Sequence, residues 1–423
     1  MEQSTPGTKI RLLVMTQFFW PETFRVNELV KDLIERGHHV TILTGQPNYP
    51  DGDIFPEFRA NPESFGTFHG AQVLRIPVVA RGRGKLRLLL NYLSYVLSGT
   101  IIGAWKLRGR KFDGIFVSAS SPITAVLPAI LQRRMKRAPL TIWILDLWPE
   151  TLSAVGVLRS PRMLNLVGKL VSFIYRRTDH ILVQSKAFFS NIKQYAGPNA
   201  RVSYFPAWTE SVFEGDQTSI EPAAEMLPYR DTFNILFAGN IGEAQDFPSI
   251  LDAACVLRDR EDIRWIILGD GRAADWVRAE IVRRGLDRQV VMLGRHAIER
   301  MPAFFRAADA LLVTLRPDPI FAMTIPGKVQ SYLAAGIPLL AMLNGEGARI
   351  IEEAEGGLTC PAGNGTKLAE LARKLAETSE TIRRDMGNNA RIYARREFDR
   401  ETLVKAFETW ALEFARKSGE GLD

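Results

Sequence analysis

Two loops of this sequence carry residue types suited to holding a diphosphate. The first is "FAGNIGEAQDF" (237–247), where an apolar run ends in Gly239 and Gly242 and a helix-like stretch follows. Glycines at a strand end let backbone N–H groups approach an anion lying on the positive end of the next helix. Asn240 and Gln245 are neutral donors in that loop, yet its charged side chains are Glu243 and Asp246, so balancing cations must come from elsewhere. The second loop, "LRPDPIFAMTIPGKVQSYLAAGIP" (315–338), supplies one. Pro326 and Gly327 open a helix and Lys328 lies in its first turn, so backbone donors, a helix dipole and an ammonium meet at one helix start. An exposed lysine on a surface helix is the plainer alternative. Arg295, in "GRHAIERM", is another cation at a strand end, and Arg25 is a third.

Carboxylates after strands are the second set. The tetrapeptide Trp-Pro-Glu-Thr occurs twice, carrying Glu22 and Glu150, and either acid could simply favour a helix N-terminus. Asp146 is different, because it closes a near-continuous apolar strand where a carboxylate is costly without a partner. It is the stronger site residue. His38, His39 and Asp270 read as turn residues.

The elements that must position these residues alternate in type. "KIRLLVMTQFF", "RVNELVKDLIERG" and "HHVTILTG" read as strand, amphipathic helix and strand. "AQVLRIPVV", "DGIFVSAS", "LTIWILDL" and "HILVQS" continue the first half; "FNILFAG", "IRWIILGDG", "VVMLG", "ADALLVTL" and "IPLLAM" repeat the logic in the second. Such alternation predicts parallel sheets covered on both faces. A chain of 423 residues is too long for one core. The expectation is α/β, with two Rossmann-like doubly wound domains facing across a cleft. These are residues 1–205, residues 206–400, and a C-terminal helix at 401–423 packing back toward the first. The tail "RREFDRETLVKAFETWALEFARK" reads as one long amphipathic helix. Charge is unevenly shared: residues 1–205 hold 27 Lys+Arg against 13 Asp+Glu, and residues 206–423 hold 27 against 34. A basic first half suits a polyanionic partner. No nucleic-acid module accompanies it, so a membrane surface is favoured. Two cysteines without metal-type spacing argue against a disulfide framework or a zinc site, and the opening residues lack secretory-signal features. A cytoplasmic protein is expected.

With these motifs in place the chain resembles the family-four retaining glycosyltransferases of GT-B architecture, most closely bacterial O-antigen and exopolysaccharide transferases of the WbuB type. The resemblance runs through "ERGHHVTILTGQPNYPDG", "DLWPE", "AGNIGEAQ", "ILGDG" and "TIPGKVQSYLAAGIPLLAMLNGEGARIIEEA". It implies a nucleotide-sugar donor, UDP-linked, no further cofactor, and an undecaprenyl-diphosphate-linked saccharide acceptor at the inner face of the plasma membrane. Where the family carries Arg and Lys in the glycine loop, this chain has Asn240 and Gln245. The family's paired glutamates, the second of which holds the donor ribose, align with Met323 and Ser331, and Glu346 is a candidate substitute. On this reading Lys328, Arg295 and the amides of Gly239 to Gly242 stabilise the departing diphosphate. Asp146 positions or deprotonates the acceptor hydroxyl, while Glu22, Arg25 and Glu150 bind the acceptor. The expectation is that no divalent-metal carboxylate cluster of Asp-x-Asp type occurs, and hence that transfer is metal-independent. A sugar-nucleotide epimerase, or a non-catalytic nucleotide-sugar-binding subunit, remains open.

The segment "RGRGKLRLLLNYLSYVLSGTIIGAWKLRGRK" (81–111) bears on the acceptor. Its apolar centre is long enough to span a bilayer, but Arg87, Asn91, Ser94 and Ser98 interrupt it, and spanning would split the first domain. Flanked by basic clusters, it fits a helix lying in the interface, or else an ordinary packing helix with a solvated basic edge.

Overall fold

The computed structural model describes residues 9–82, 84–154, 156–213 and 219–420. The chain forms two compact units, one comprising residues to Pro206 together with those from Glu401, the other Ala207–Arg400.

In the first unit, strands β1 (Arg11–Thr16), β2 (His39–Gly45), β3 (Thr67–Phe68), β4 (Ala71–Ile76), β5 (Gly114–Ala119), β6 (Leu140–Ile144), β7 (His180–Val183) and β8 (Val202–Tyr204) form one sheet. Its order is β3-β4-β2-β1-β5-β6-β7-β8, with β3–β4 the antiparallel pair. Central strands are apolar on both faces because helices cover both, as in β6, where Leu140, Ile142, Trp143 and Ile144 are fully enclosed. The helix Arg25–Glu35 turns Val26, Leu29, Val30 and Leu33 inward, the spacing of a single helical face. Strand order reverses between β1 and β5. In doubly wound sheets a ligand crevice opens beyond the carboxyl ends of the strands at such a reversal.

The second unit carries β9 (Phe233–Ala238), β10 (Ile263–Leu268), β11 (Val290–Gly294), β12 (Ala310–Thr314), β13 (Leu339–Met342) and β14 (Gly357–Cys360), parallel throughout, in the order β11-β10-β9-β12-β13-β14. Its reversal point lies between β9 and β12. The core is built on Ile235, Phe237, Trp265, Ile267 and Leu312. Just beyond the expected boundary at 205/206, residues 214–218 lie outside the described residues.

The tail departs from the single helix expected. The helix Glu380–Glu397 ends at Phe398, whose side chain is buried, and a separate helix, Arg400–Glu420, begins after Asp399. Burying Phe398 breaks the helical run. The last helix packs on the first unit: Glu408 bonds Arg36 (3.0 Å) and lies 2.8 Å from His38 Nε2, and Phe407 meets Phe116 edge-on with centroids 4.8 Å apart. Removing a buried aromatic of this kind costs about 3–5 kcal/mol. Phe407→Ala is therefore expected to lower the unfolding free energy of the first unit by that much while leaving the second unit's transition in place; two-probe denaturant melts check it.

Candidate functional site

The β9/β12 reversal point gathers the diphosphate-type residues of the second unit. Lys328 lies in the first turn of the helix Gly327–Ala335, which Pro326 precedes. Its ammonium donates to Gln245 Oε1 at 2.8 Å and rests over the Phe237 ring, 3.7 Å from the centroid. Gly239 sits at φ 144°, and a Cβ there would lie 3.3 Å from the Lys328 Nζ. The glycine loop and the lysine from the next loop thus occupy one spot, as their residue types suggested. Enclosure away from water lowers the Lys328 pKa to about 7. Gln245 is fixed from behind, since Thr314 Oγ1 donates to its carbonyl at 2.5 Å. With Oε1 taken by the ammonium, the Gln245 amide nitrogen remains for a ligand.

The structure corrects one part of the loop reading. The Gly239 amide donates to Leu268 O and the Ile241 amide to Asp270 O, both at 2.9 Å, so these two N–H groups hold the β10 loop rather than an anion. Those bonds require glycine at 269, where a Cβ would fall 1.9 Å from the Gly239 carbonyl oxygen. The amides of Asn240 and Gly242 have no protein partner among the described residues, and neither do those of Gly327 and Lys328. Tyr332, one helical turn beyond Lys328, was not singled out by sequence reasoning. Its phenol accepts from Ala238 N (2.8 Å) and donates to Ala238 O (3.1 Å), pinning the last residue of β9 after β12 has diverged. The Lys-x-x-x-Tyr spacing, which puts both on one helix face, was the available signal.

Other cations and carboxylates are distributed differently from expectation. Arg295 is exposed and follows Gly294, whose carbonyl accepts from Gly269. With β10 between β11 and β9, its backbone stands about 10 Å from Gly239 at ordinary strand spacing. Arg316 is nearer the loop: its amide donates to Ala244 O at 3.0 Å, and its guanidinium lies 3.9 Å from Glu243. It stands two residues beyond β12, a position equivalent to those searched for cations. Ser331 donates its hydroxyl to Glu210, which brings a carboxylate to the helix at a place where the chain carries none of its own. Glu346, the candidate substitute, is engaged locally, with Arg349 Nε and Nη2 at 3.0 and 2.8 Å. That i,i+3 pair consumes both its oxygens.

In the first unit, Asp146 lies just past β6. Burial raises its pKa, and the Ser121 backbone amide works against that shift. Ser121, beyond β5, also accepts from Trp148 Nε1 at 2.9 Å. The two acids read as acceptor ligands are both held by partners within the first unit. Glu22 is 2% exposed. One oxygen accepts from Phe19 N (3.0 Å) and the other from Asn48 N and Tyr49 N (both 2.8 Å). Burial pushes its pKa up to about 6, against the pull of those amides and of Arg75. A carboxylate with every oxygen so engaged ties two loops together and has no face left for an acceptor. Glu150 accepts from Asn191 (2.8 Å) and the Tyr195 hydroxyl (3.2 Å), and its other oxygen is buried, so it braces the helix Glu150–Ala154 against the helix Phe188–Ala196. Arg25 opens its helix and lies 3.7 Å from Glu28. An Asp-x-Asp triplet does exist, Asp51-Gly52-Asp53, with both acids exposed after β2; no group of three metal-ligating side chains is found among the described residues.

Residues 23–208 match the family described as a glycosyl transferase 4-like domain, and residues 232–378 the glycosyl transferases group 1. The chain is similar to WcaI of Escherichia coli K12, assigned to colanic acid biosynthesis as a glycosyl transferase, with 23% identity over 402 residues covering 90% of this chain and 93% of that one. In fold it is similar to Anabaena Alr3699/HepE in complex with UDP, at TM-score 0.70 and 16% identity, covering 96% and 100% of the two chains. It is also similar to WaaG, a glycosyltransferase involved in lipopolysaccharide biosynthesis, at TM-score 0.64 and 15% identity, covering 94% and 98%.

The Lys328 environment makes a pH prediction. A pKa of about 7 leaves the free amine largely neutral above neutrality, while a bound anion favours the ammonium. Calorimetric titration with pyrophosphate should show more proton uptake at about pH 8 for the wild type than for Lys328→Met, and the affinity ratio between them should narrow from about pH 6 upward. In the free protein the depressed pKa makes stability rise with pH between about 7 and 10.5, because only the unfolded chain binds the proton there. Identical uptake by wild type and variant would refute the assignment.

Proposed function

The chain belongs to the group 1 glycosyl transferases, with a 4-like first half, and from that premise we propose that it moves a hexosyl or N-acetylhexosaminyl group from a UDP-sugar to a saccharide carried on undecaprenyl diphosphate. The observation that carries the reading is the enclosed Lys328 ammonium beside Gly239 at the β9/β12 reversal. In the reaction the anomeric C–O bond to the diphosphate breaks, a C–O bond to the acceptor hydroxyl forms on the same face, and the hydroxyl proton leaves to a base. Negative charge grows on the departing diphosphate, and preorganised cations and helix ends stabilise it. In this reading Lys328, the start of the helix Gly327–Ala335 and the Gln245 amide supply that stabilisation. Arg316 adds charge on the outer side of the loop. Glu210, held on Ser331, stands where the resemblance sets a carboxylate for the ribose hydroxyls. Asp146, whose burial favours its protonated form, is the first-unit group suited to orient or exchange the acceptor proton.

A lipid-borne acceptor is supported by the helix Lys85–Lys106. Asn91, Tyr95, Gly99 and Gly103 form its buried face, where a Cβ on Gly103 would come within 2.8 Å of Leu43. The helix is long and apolar enough to cross a bilayer, but packing of that face on β2 and the neighbouring helix favours a helix lying along the membrane surface. The opposite face leaves Leu86 (70%), Leu97 (62%), Ile101 (68%) and Trp105 (59%) exposed, together with Leu90 and Leu93. A contiguous apolar stripe of this length on a soluble surface marks an interaction site. Exposed Arg87, Arg108 and Lys111 border it, with Arg108 stacked over Trp105 at 4.7 Å. Arg83 and the Lys85 side chain lie outside the described residues. An apolar face rimmed by cations fits the headgroup region of an anionic leaflet, the inner face of the cytoplasmic membrane.

Incubation with labelled UDP-sugars and a membrane lipid extract is expected to put label into the lipid fraction, reduced about 10²–10³-fold by Lys328→Ala. Label remaining in an altered free sugar nucleotide, or no turnover at all, would sink the proposal. Separately, the protein should float with phosphatidylglycerol liposomes, and Leu97→Asp with Ile101→Asp should leave it at the bottom of the gradient. Equal flotation of the variant would remove the helix from the membrane contact.

A further inference from the structure

The loop "QPNYPDG" after β2 has no role in the donor chemistry, yet the structure builds it into a defined surface. Phe18, Phe24 and Tyr49 form an aromatic cluster: Phe18 stacks on Phe24 at 5.6 Å and 10°, and Tyr49 lies 5.5 and 5.3 Å from the two. Phe18 is buried, whereas Tyr49 is 36% exposed, so the phenylalanines back a ring that solvent can reach. The Arg81 guanidinium stands 5.1 Å from the Tyr49 centroid.

Three loops hold these groups. Glu22 binds the Phe19, Asn48 and Tyr49 amides, Asn48 Oδ1 accepts from Arg81 N at 3.1 Å, and Gly82 N donates to Gly52 O at 2.7 Å. The loops follow β1, β2 and β4, adjacent parallel strands, so the cluster lies beyond their carboxyl ends, where such sheets bind ligands. Tyr92, from the helix Lys85–Lys106, reaches the same place: its phenol feels the charges of Arg81, Asp146 and Tyr49 in addition to burial. The exposed apolar stripe of that helix starts at Leu86, five residues beyond Arg81.

We propose that Tyr49 and Arg81 form the acceptor subsite, Tyr49 stacking against a sugar ring and Arg81 binding the phosphate to which that sugar is attached, with the lipid directed along the Leu86–Leu90–Leu93 face. An aromatic face takes the apolar C–H side of a hexose, and a guanidinium takes phosphate oxygens in a bidentate pair. A prenyl-diphosphate saccharide presents sugar, phosphate and lipid in that order, which matches ring, guanidinium and apolar stripe. This inference rests on the transferase reading and moves the acceptor contacts away from Glu22, whose two oxygens take three backbone amides, and from Glu150, whose Oε1 takes Asn191 and Tyr195.

The test measures binding of farnesyl diphosphate and of farnesyl-diphosphate-linked N-acetylglucosamine to the full chain in detergent, with UDP affinity and melting temperature recorded for each sample. Arg81→Ala should weaken both lipid probes by about tenfold or more, as loss of a charge-assisted pair does. Tyr49→Ala should weaken only the glycosylated probe, Tyr49→Phe should restore it, and UDP affinity should stay at the wild-type value throughout. Wild-type protein that binds neither probe, or variants that bind both as tightly as wild type, would overturn the subsite while retained UDP binding left the transferase reading standing. Absent UDP binding in the wild type would instead count against that reading itself.

Discussion

The second unit depends on keeping one ammonium out of water beside a backbone that can approach it. Lys328 has the Phe237 ring on one side, the Gln245 carboxamide on another and the bare Cα of Gly239 in front. Desolvation makes the charged form costly, which lowers the Lys328 pKa to about 7. The surroundings follow from that constraint. Gly239 and Gly269 lack side chains because their loops lie against each other, and Tyr332 holds Ala238 where β12 no longer pairs with β9. Leaving the Ala238 N–H and C=O unpaired would cost about 1–3 kcal/mol for each buried group.

The first unit buries charge for a different purpose. Glu22 gives up hydration and receives three backbone amides in return, while Arg75, itself lowered to about 10 by burial, bonds the Gly45 and Trp20 carbonyls nearby. The carboxylate therefore works as a knot between the loops after β1 and β2. Its effect on chemistry is indirect: it sets where Phe18, Phe24 and Tyr49 stand. Asp146 has a smaller set of donors, with the Ser121 amide set against the burial that raises its pKa.

The helix Lys85–Lys106 serves both surfaces of the same unit. Its inner face uses glycines to lie close to β2 and the neighbouring helix, and Asn91 Nδ2 donates to Val79 O, tethering the loop that presents Arg81. Its outer face keeps apolar side chains that no part of the unit covers. One element thus connects an exposed greasy stripe to the loop cluster beyond the strand ends.

Strand and helix alternation was legible from the chain because buried parallel strands must be apolar on both faces and their covering helices on one. The β9 and β12 loops likewise announced themselves, since glycine, proline and lysine at strand ends have few other uses. What residue order could not reveal was which hydrogen-bond partners tertiary packing would assign. Glu22 and Glu150 look alike in sequence, in identical tetrapeptides, and like Asp146 they follow strands; packing gave Glu22 three backbone amides and Glu150 the Asn191 amide and Tyr195 hydroxyl as partners. The Gly239 amide was claimed by β10, and Glu210 reached Ser331 from 121 positions away. The helical tail was broken at Phe398 because a core site outweighed local helix propensity. Local composition determined the sheets and the kinds of groups at their ends; long-range packing alone decided which of those groups kept an unused donor, acceptor or charge, because hydrogen bonding saturates and a buried polar atom takes the partner that folding puts beside it.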